Sequence, residues 1–505
     1  MSVLVLVLLA LPGGVATTLL ARRRLVAFSV GLATATACVV AAASISAADV
    51  LPLAGSLIGG SDGLRTLGVA WAASILIFGA IDALLGATAG ILGPALIGLG
   101  FGVIGLAVPD PGVGFALLGG GALLTAVVPM VSMRARRADG ARIGIGAMRP
   151  LIGSAFLSLL VVAWGASAAG PLLAVDPLGV VDPALEVAMG LALLALVTAV
   201  ILRLGAIPGH AWVARYADAM PASAIPPLLG WGAAAFVLVS ISWVEVTVAP
   251  TNAPLGPERA IVALAAVASI VFGGIAAVLH DDIEHVLAYA IVQDAGVALL
   301  TFASAGPAST TAGRDWIIAA VAVKAGLAAW VHVTRSSFGT NRRADLRGWA
   351  RRAPILGVAF AIVLVGAIGF PTFAGFEARA TLVQQAIPSP LSALVLLAAF
   401  APLVYLGRLL IDGIGAASPA VRSARGLDVV LEGSTAGAWT GARTPVRLAV
   451  SLLRANRLPL AAGAAILAAV VGLSVSIGGL GSTAQGEGAS GDGAGSTPSG
   501  AVIAP

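Results

Sequence analysis

Residues 190–221 read GLALLALVTAVILRLGAIPGHAWVARYADAMP, and this stretch decides the fold. An apolar run with the length of a membrane span contains Arg203 and is interrupted at Gly205, Pro208 and Gly209. Irregular backbone at membrane depth is tolerated only where protein or trapped water satisfies its polar groups. A charge inside a span costs roughly 2.5 to 3.5 kcal/mol on insertion scales, so it usually faces the bundle interior and marks an ion path. The stretch therefore predicts a transporter core rather than a simple anchor.

Composition identifies an integral membrane protein. Hydrophobic residues make up 59% of the 505 and charged residues 10%, whereas soluble domains carry about 25% charged residues. The net charge of +5 comes from arginines in short loops, which is typical of orientation signals and predicts no nucleic-acid partner. The single cysteine, Cys38, excludes an internal disulfide framework and a thiolate metal cluster. The first apolar run precedes its basic residues, the reverse of a cleavable signal peptide, so an uncleaved first span is expected.

Fourteen apolar runs of about 20 residues are predicted to span the membrane. Because cytoplasmic loops carry an excess of positive charge, the loop arginines test this number: the odd-numbered loops contain 21 and the even-numbered loops three. The alternation predicts a multi-pass protein of the cell (inner) membrane with both termini on the non-cytoplasmic side. The predicted spans are 2–21, 26–47, 66–87, 89–108, 113–133, 151–171, 186–206, 226–248, 260–279, 285–304, 314–334, 354–376, 389–411 and 459–480.

These runs divide the chain into five predicted parts. Residues 1–108 hold the first four spans, and 109–410 form the transport core. Residues 411–458 form a cytoplasmic loop of mixed charge, long enough for an amphipathic surface helix, and 459–480 form the last span. The tail 481–505 is rich in Gly, Ser and Ala, cannot bury a core, and is expected to be disordered.

A second broken span is predicted in residues 354–386, PILGVAFAIVLVGAIGFPTFAGFEARATLVQQA. Gly366, Gly369 and Pro371 interrupt its apolar run, and the charge of Arg379 follows. The broken spans are the seventh and the twelfth, so they cross the membrane in opposite directions, as expected of two inverted five-helix repeats. Glycine and proline are also common in membrane helices without such a role, and this plainer reading stays open.

Lys324 is the only lysine in the sequence, since the other 27 basic residues are arginine. It lies in the middle of the eleventh predicted span. A desolvated lysine, unlike an arginine, can lose its proton. The sequence therefore predicts that Lys324 exchanges protons; the alternative is a lysine paired with a carboxylate purely for packing.

Five further polar residues lie within or beside the predicted spans. Arg203 and Arg379 keep their charge, so they can hold anions, order water and set the local potential but cannot relay a proton by changing charge. Asp294 in the tenth span, like Asp82 in the third, is a candidate partner or carrier. His210 beside the first break is either a protonation switch or a histidine satisfied by freed carbonyls.

The start of the tenth span reads HDDIEHVLAYA from His280. Acidic residues at a helix start interact favourably with the helix dipole and need no metal. No phosphate-binding glycine-rich loop and no nucleophile elbow occur in the sequence. An active site, a bound cofactor and a metal are therefore not expected in this chain.

Three segments carry a resemblance to a known family. They resemble the proton-translocating, antiporter-like subunits of respiratory complex I (NADH:quinone oxidoreductase), most closely the N-type subunit, and their relatives in Mrp antiporters and membrane-bound hydrogenases. The resemblance covers about residues 110–410. Its segments are LRLGAIPGHAWVARYADAMPASA, DIEHVLAYAIVQDAG and RRAPILGVAFAIVLVGAIGFPTFAGFEAR.

The resemblance implies proton transport coupled to quinone reduction by other subunits. NADH and quinone would be used by those partner subunits, and this chain would contact membrane subunits, lipid and protons. The family has a glutamate on the fifth helix, lysines on the seventh and eighth, and a lysine or glutamate on the twelfth. Here Arg203 and Arg379 occupy the seventh- and twelfth-helix positions, the eighth-helix lysine falls near Ala234, and the fifth span has no acid. Lys324 matches a family lysine, and Asp294 replaces the usual histidine.

These departures leave three functional hypotheses. The first is an antiporter-like subunit that conducts protons through Lys324, Asp294 and ordered water. The second is a divergent, non-pumping scaffold subunit of such a complex. The third is a stand-alone Mrp-like cation/proton antiporter subunit, or another transporter built on the same inverted repeat.

Overall fold

The computed structural model describes residues 2–46, 49–53, 56–85, 89–131, 137–172, 183–304, 306–369, 374–423 and 463. Within these ranges, 12 helices are long and apolar enough to cross a membrane, or 13 if one sharply bent pair of helices counts as a span. They correspond to the first 13 predicted spans. The predicted fourteenth span, the disordered tail and most of the predicted cytoplasmic loop lie outside the described residues.

The architecture is helical almost throughout, as predicted. A two-stranded antiparallel hairpin of β1 (Val50–Leu53) and β2 (Ser56–Gly59) is a small addition between the second and third spans. The helices are α1 Ser2–Leu19, α2 Arg24–Ala43, α3 Asp62–Leu85, α4 Leu92–Ala107, α5 Pro111–Val131, α6 Arg137–Leu172, α7 Pro183–Leu204, α8 Ala211–Ala219, α9 Trp231–Trp243, α10 Gly256–Leu279, α11 Ile283–Ala303, α12 Pro307–Phe338, α13 Trp349–Arg352, α14 Pro354–Ile368, α15 Ala374–Ala386, α16 Leu391–Ala399, α17 Pro402–Ile414 and α18 Pro419–Ser423.

Helix α12 shows how the sequence sets the limits of a span. Pro307 occupies the first turn, where its missing N–H costs nothing. Gly339 follows the last residue with a φ of 72°, and its N–H donates to the Arg335 carbonyl 2.9 Å away. The helix has 32 residues, so it is about 48 Å long and exceeds the hydrocarbon thickness of roughly 30 Å. Its ends therefore reach the aqueous faces, beyond the predicted limits 314–334.

Helices α11 and α12 lie at the centre of the bundle. Helix α11 packs against α7, α8, α10 and α15, and α12 packs against α3, α9, α14 and α15. In the 18-residue apolar segments of α12, of α11 and of the span Ala222–Thr251, 94%, 83% and 89% of the residues are buried inside the protein. A charged side chain on α11 or α12 at mid-depth therefore faces protein rather than lipid.

The first predicted break is present. Helix α7 ends at Leu204, Gly205 takes a φ of 68°, and the chain resumes as α8. The freed backbone groups find side-chain partners: Trp212 Nε1 donates to the Leu202 carbonyl at 3.2 Å, and the Ile207 N–H donates to Ser269 Oγ at 3.0 Å. Side chains of the bundle thus satisfy the interrupted backbone, as a break within the membrane requires.

The second predicted break is also present, and it too is formed by a glycine with a positive φ. Helix α14 ends at Ile368, and Gly369 takes a φ of 71° before the chain resumes as α15. Pro371, assigned to this break from the sequence, lies outside the described residues. The last carbonyls of α14 accept hydrogen bonds from Arg379. Both interrupted helices therefore end in a glycine that provides the left-handed turn.

A third interruption was not predicted. The thirteenth span is divided into α16 and α17 at Phe400 and Ala401, directly before Pro402. Proline has no N–H to continue the helical ladder, and its ring clashes with the preceding turn. The third and fourth spans, which almost nothing polar separates in sequence, form the distinct helices α3 and α4. The sixth span begins earlier than predicted, because α6 extends back to Arg137.

Candidate functional site

Lys324 and Asp294 form a buried ion pair at the centre of the bundle. Lys324 Nζ on α12 contacts Asp294 Oδ2 on α11, and the two side chains are 9% and 13% exposed. Trp316 Nε1 donates to the Asp294 carbonyl at 3.1 Å, which ties the two helices together beside the pair. Removing one partner of a buried pair typically costs about 3 to 5 kcal/mol, because the remaining charge is left uncompensated. The two residues therefore act as one electrostatic unit.

Arg379 lies beside this pair and caps two helices. Its side chain is almost fully buried, and the residue is 1% exposed. The guanidinium donates to Ala367 and Ile368 at the end of α14, and to Ala399, 3.3 Å away, at the end of α16. It also lies over the ring of Phe400, 4.4 Å from the centroid. Cations are favoured at helix C-termini, so the charge of Arg379 is stabilised by the interrupted backbone.

Arg203 is held far more loosely. The residue is 5% exposed, yet its Nη2 reaches only the Leu118 carbonyl, at 3.5 Å, and its guanidinium carbon lies 5.8 Å from the centroid of Phe236. Within the described ranges no carboxylate lies within ion-pair distance of it. A guanidinium stays protonated in proteins. Arg203 therefore contributes a fixed positive charge with little direct compensation.

A cavity of about 50 Å³ joins Arg203 to the ion pair. Arg203, Asp294 and Lys324 supply its charged lining, and the other lining residues are apolar, including Ile225 and Gly230. A buried water needs roughly 10 to 15 Å³ of such volume and two to four polar partners. The cavity can thus hold a few water molecules against the three charged groups. Arg203 also lines a smaller cavity of about 10 Å³.

His210 lies apart from these four residues. It precedes α8, and none of its described hydrogen bonds or ion pairs reaches Arg203, Asp294, Lys324 or Arg379. Its buried Nδ1 has no hydrogen-bond partner among the described residues. The structure therefore brings together four of the five predicted site residues and leaves the histidine at the first break.

Asp82 contacts a histidine that the sequence analysis missed. His332 Nε2 lies 2.8 Å from Asp82 Oδ1, and the two side chains are 8% and 7% exposed. Both residues lie within predicted spans, where polar side chains are rare and usually functional. The same criterion that selected Lys324 would have selected His332, eight residues later on the same helix.

The acidic residues at the start of α11 are engaged with protein groups. Asp282 Oδ1 accepts from the Glu284 N–H at 2.8 Å and caps the helix, while Asp282 Oδ2 accepts from Asn341 Nδ2 at 2.5 Å. Glu284 forms an ion pair with Arg335 of α12. Capping at the helix N-terminus, as interpreted from the sequence, accounts for Asp282.

Two histidines stack at the same surface. The His280 ring lies 4.9 Å from the rings of His285 and Tyr289, and His285 Nε2 is 3.4 Å from Asp218 Oδ1. Partial burial raises the pKa of Asp218 and of Asp282 above the usual 3.8. Partial burial, and next the charge of His285, lower the pKa of His280 below 6.5. These shifts make the difference between the pKa of either acid and the pKa of His280 smaller than it is in water.

The core of the chain matches a family model. Residues 149–404 match the model described as NADH:quinone oxidoreductase/Mrp antiporter, transmembrane. This segment is half of the chain and contains α7 to α16, including both breaks and the ion pair. The chain belongs to this family. The family resemblance read from the three sequence segments is therefore confirmed, and the chain is an antiporter-like, multi-pass membrane protein.

Two curated relatives share one description. NADH-quinone oxidoreductase subunit N of Halorhodospira halophila is 29% identical over 212 residues, which are 41% of this chain and 43% of that protein. The subunit of the same description from Nitrosomonas europaea is 27% identical over 207 residues, 40% of this chain and 42% of that protein. The matches thus span less than half the length of these relatives.

Solved structures of the family share the fold over almost the whole chain. A chain of respiratory complex I from Thermus thermophilus aligns with a TM-score of 0.66 and 21% identity, covering 92% of this chain and 100% of that one. A chain of the Mrp complex from a Dietzia species aligns with a TM-score of 0.66 and 19% identity, covering 95% and 96%. At these identities the likeness concerns the fold.

Proposed function

We propose that this chain is a proton-translocating, antiporter-like membrane subunit of a complex I-type NADH:quinone oxidoreductase in the cell (inner) membrane. Partner subunits oxidise NADH and reduce quinone, and this chain moves protons. The proposal rests on the buried pair of Lys324 and Asp294, which lies between two broken helices and borders a cavity that also reaches Arg203. Family membership supports it.

The pair can exchange a proton by opening and closing. While Lys324 contacts Asp294, the carboxylate stabilises the ammonium form. When the contact opens, the lysine loses that compensation and shares its cavity with the fixed charge of Arg203. A nearby like charge and desolvation both favour the neutral amine. Nζ then releases its proton to water, and re-forming the pair favours proton uptake.

Arg379 gives Asp294 a second cation. The two side chains lie close enough for their opposite charges to attract each other. The carboxylate therefore remains partly compensated when its contact with Lys324 opens, which lowers the cost of the open state. Arg203 and Arg379 act as fixed charges near Lys324, which changes its charge.

The non-pumping scaffold is the alternative that a specific observation favours. The guanidinium of Arg379 is occupied with three backbone carbonyls, and the family's exchangeable groups at the seventh and twelfth helices are replaced by arginine. In this alternative the ion pair of Lys324 only fixes α12 against α11.

Two substitutions of one residue separate these functions. Lys324→Ala and Lys324→Arg are compared in the assembled complex in proteoliposomes, by the protons moved per quinone reduced. Lys324→Arg keeps a cation beside Asp294 but cannot release a proton. We expect both variants to move fewer protons while quinone reduction continues. Wild-type stoichiometry in both variants would favour the scaffold.

The partners are tested by purification. We expect the full-length chain, tagged in its own cells, to co-purify with subunits that oxidise NADH and reduce quinone. A preparation containing only ion-transport subunits would favour the Mrp-like alternative, to which the Dietzia structure is the corresponding match in fold.

A further inference from the structure

A second buried titratable pair lies at some distance from Lys324. Asp82 on α3 and His332 on α12 are both more than nine-tenths buried, with Oδ1 and Nε2 2.8 Å apart. The ring N–H does not align with the carboxylate as in a hydrogen bond, so the contact is an ion pair only when the imidazole is protonated. Ser223 donates its hydroxyl to the other carboxylate oxygen, Asp82 Oδ2, at 3.2 Å. We name Asp82, Ser223 and His332 the α3–α12 cluster.

The α3–α12 cluster is connected to the ion pair in two ways. His332 follows Lys324 by eight residues on one helix, which is about 12 Å along the axis. Ser223 is the middle residue of the turn Ala222–Ala224, which leads into the π-helical segment Ile225–Gly230. Ile225 and Gly230 of that segment line the cavity shared by Arg203 and Lys324.

Few other charges approach the α3–α12 cluster, and the one on α2 is Arg24, whose Nη2 donates to the carbonyl of Ala83, next to Asp82, at 3.1 Å. On α12 the neighbouring charges are Lys324 and Arg335, and Arg335 is paired with Glu284 of α11. Asp82 is the only charged residue in the second half of α3, and the described residues of α9 and α14 carry none. The turn Ala222–Ala224 contributes only the Ser223 hydroxyl. Asp82 is therefore the carboxylate in direct contact with His332.

We propose that the α3–α12 cluster is a second proton-binding site, which loads the proton that Lys324 receives. This inference rests on the proposed function. In the loaded state His332 is an imidazolium, Asp82 is a carboxylate, and the pair is neutral. Transfer of the Nε2 proton through water to a neutral Lys324 amine leaves a neutral imidazole. The cluster then carries one negative charge, and the ammonium re-forms its pair with Asp294.

Two buried hydroxyls, one on α8 and one on α12, have room for a water partner. The hydroxyls of Tyr216 and Thr334 are buried and have no hydrogen-bond partner among the described residues. Buried polar groups are nearly always hydrogen-bonded to protein or to ordered water. Both hydroxyls can therefore bind water, Tyr216 on α8 and Thr334 two residues after His332.

The protonation state of His332 can be measured in the resting protein, without proton transport. The chain contains four histidines, so ¹⁵N-histidine solid-state NMR of the full-length protein in lipid bilayers can resolve each ring. Between about pH 5 and pH 9, where histidine charge changes are usual, we expect His332 to change from imidazolium to imidazole. In Asp82→Asn, we expect a neutral ring at pH values where the wild type is charged. An identical signal in both proteins, or an uncharged wild-type ring throughout, would overturn the proposal.

Transport in the assembled complex provides the second measurement. We expect Asp82→Asn and His332→Gln to lower proton movement by this chain about tenfold or more, as the loss of a positioned acid–base group does. Ser74→Ala is the matched control: it lies eight residues before Asp82 on α3, is buried, and loses a 2.9 Å hydrogen bond from Trp231 without removing a charge. Full transport in Asp82→Asn would overturn the loading role.

The two proposals fail separately. Normal proton movement in Lys324→Ala contradicts the proposed function of the ion pair, whereas the NMR measurement still decides whether the α3–α12 cluster takes up a proton. Normal folding with a permanently charged His332 would instead make the cluster a structural contact between α3 and α12.

Discussion

At the scale of single residues, the two buried arginines differ in what surrounds them. Arg379 donates to three carbonyls and lies over an aromatic ring, whereas Arg203 has one hydrogen bond of 3.5 Å. The planar fork of a guanidinium can serve several acceptors at once, and an ammonium cannot reproduce that geometry. The same substitution should therefore have different consequences at the two sites.

We expect Arg379→Lys to destabilise the protein by about 2 kcal/mol or more, since at least one buried carbonyl loses its donor. Arg203→Lys should cost less than about 1 kcal/mol and introduce a cation that can release a proton. Unfolding midpoints in one detergent compare the stabilities, and proton movement in the assembled complex shows whether Arg203→Lys raises transport. Equal losses of stability at both positions would contradict the distinction.

The residues show what a sequence can and cannot predict. Lys324 and Asp294 stood out because charge is rare at mid-membrane, and the structure pairs them. His332 satisfied the same criterion but has no diagnostic neighbours in sequence, since Asp82 lies 250 positions earlier and Ser223 lies 109 earlier. Partners brought together by tertiary packing leave no local pattern, so the second cluster required coordinates.

At the scale of helices, the two breaks could be predicted from the sequence because glycine and proline interrupt apolar runs. The sequence did not predict which side chains would hydrogen-bond the backbone groups that each break leaves free. Trp212 and Ser269 serve the first break, and Arg379 serves the second. The interruption before Pro402 was missed because its flanking residues are all apolar. The start of α6 and both ends of α12 extend beyond the predicted limits, since these helices continue past the hydrocarbon region.

Gly205 tests the first break. Its φ of 68° is disfavoured for other L-residues by about 1 to 2 kcal/mol, and an added Cβ would meet the Val213 side chain. We expect Gly205→Ala to lower the unfolding midpoint in detergent and to impair transport. Gly120 on α5 is the matched control, because an added Cβ would have no atom within 4 Å. Gly120→Ala should be neutral, or stabilising by about 0.5 to 1 kcal/mol; an equal effect of both substitutions would argue against strain at Gly205.

At the scale of the whole molecule, arginine asymmetry predicts that α12 begins on the non-cytoplasmic side and ends in the cytoplasm. The sole cysteine, Cys38, is buried, so introduced cysteines can report orientation in the otherwise natural protein. Ala308 and Ser336 are exposed residues near the two ends of α12.

We expect a membrane-impermeant maleimide to label Ala308→Cys in intact cells and Ser336→Cys only in inverted vesicles. The unsubstituted protein, with Cys38 alone, is the control and should remain unlabelled in both. The opposite labelling pattern would invert the topology and with it the direction from which the α3–α12 cluster is loaded.

The hydrogen bonds from Arg379 to two helix ends have a mechanical consequence. Because Arg379 binds the C-terminal ends of both α14 and α16, it couples the second interrupted helix to the thirteenth span, so that the two would move together. Leu394, Leu397 and Ile411 of that span project from the protein surface. A displacement of the buried guanidinium would thus shift the thirteenth span at the edge of the bundle. A subunit packed against that span would move with it, or could cause the displacement.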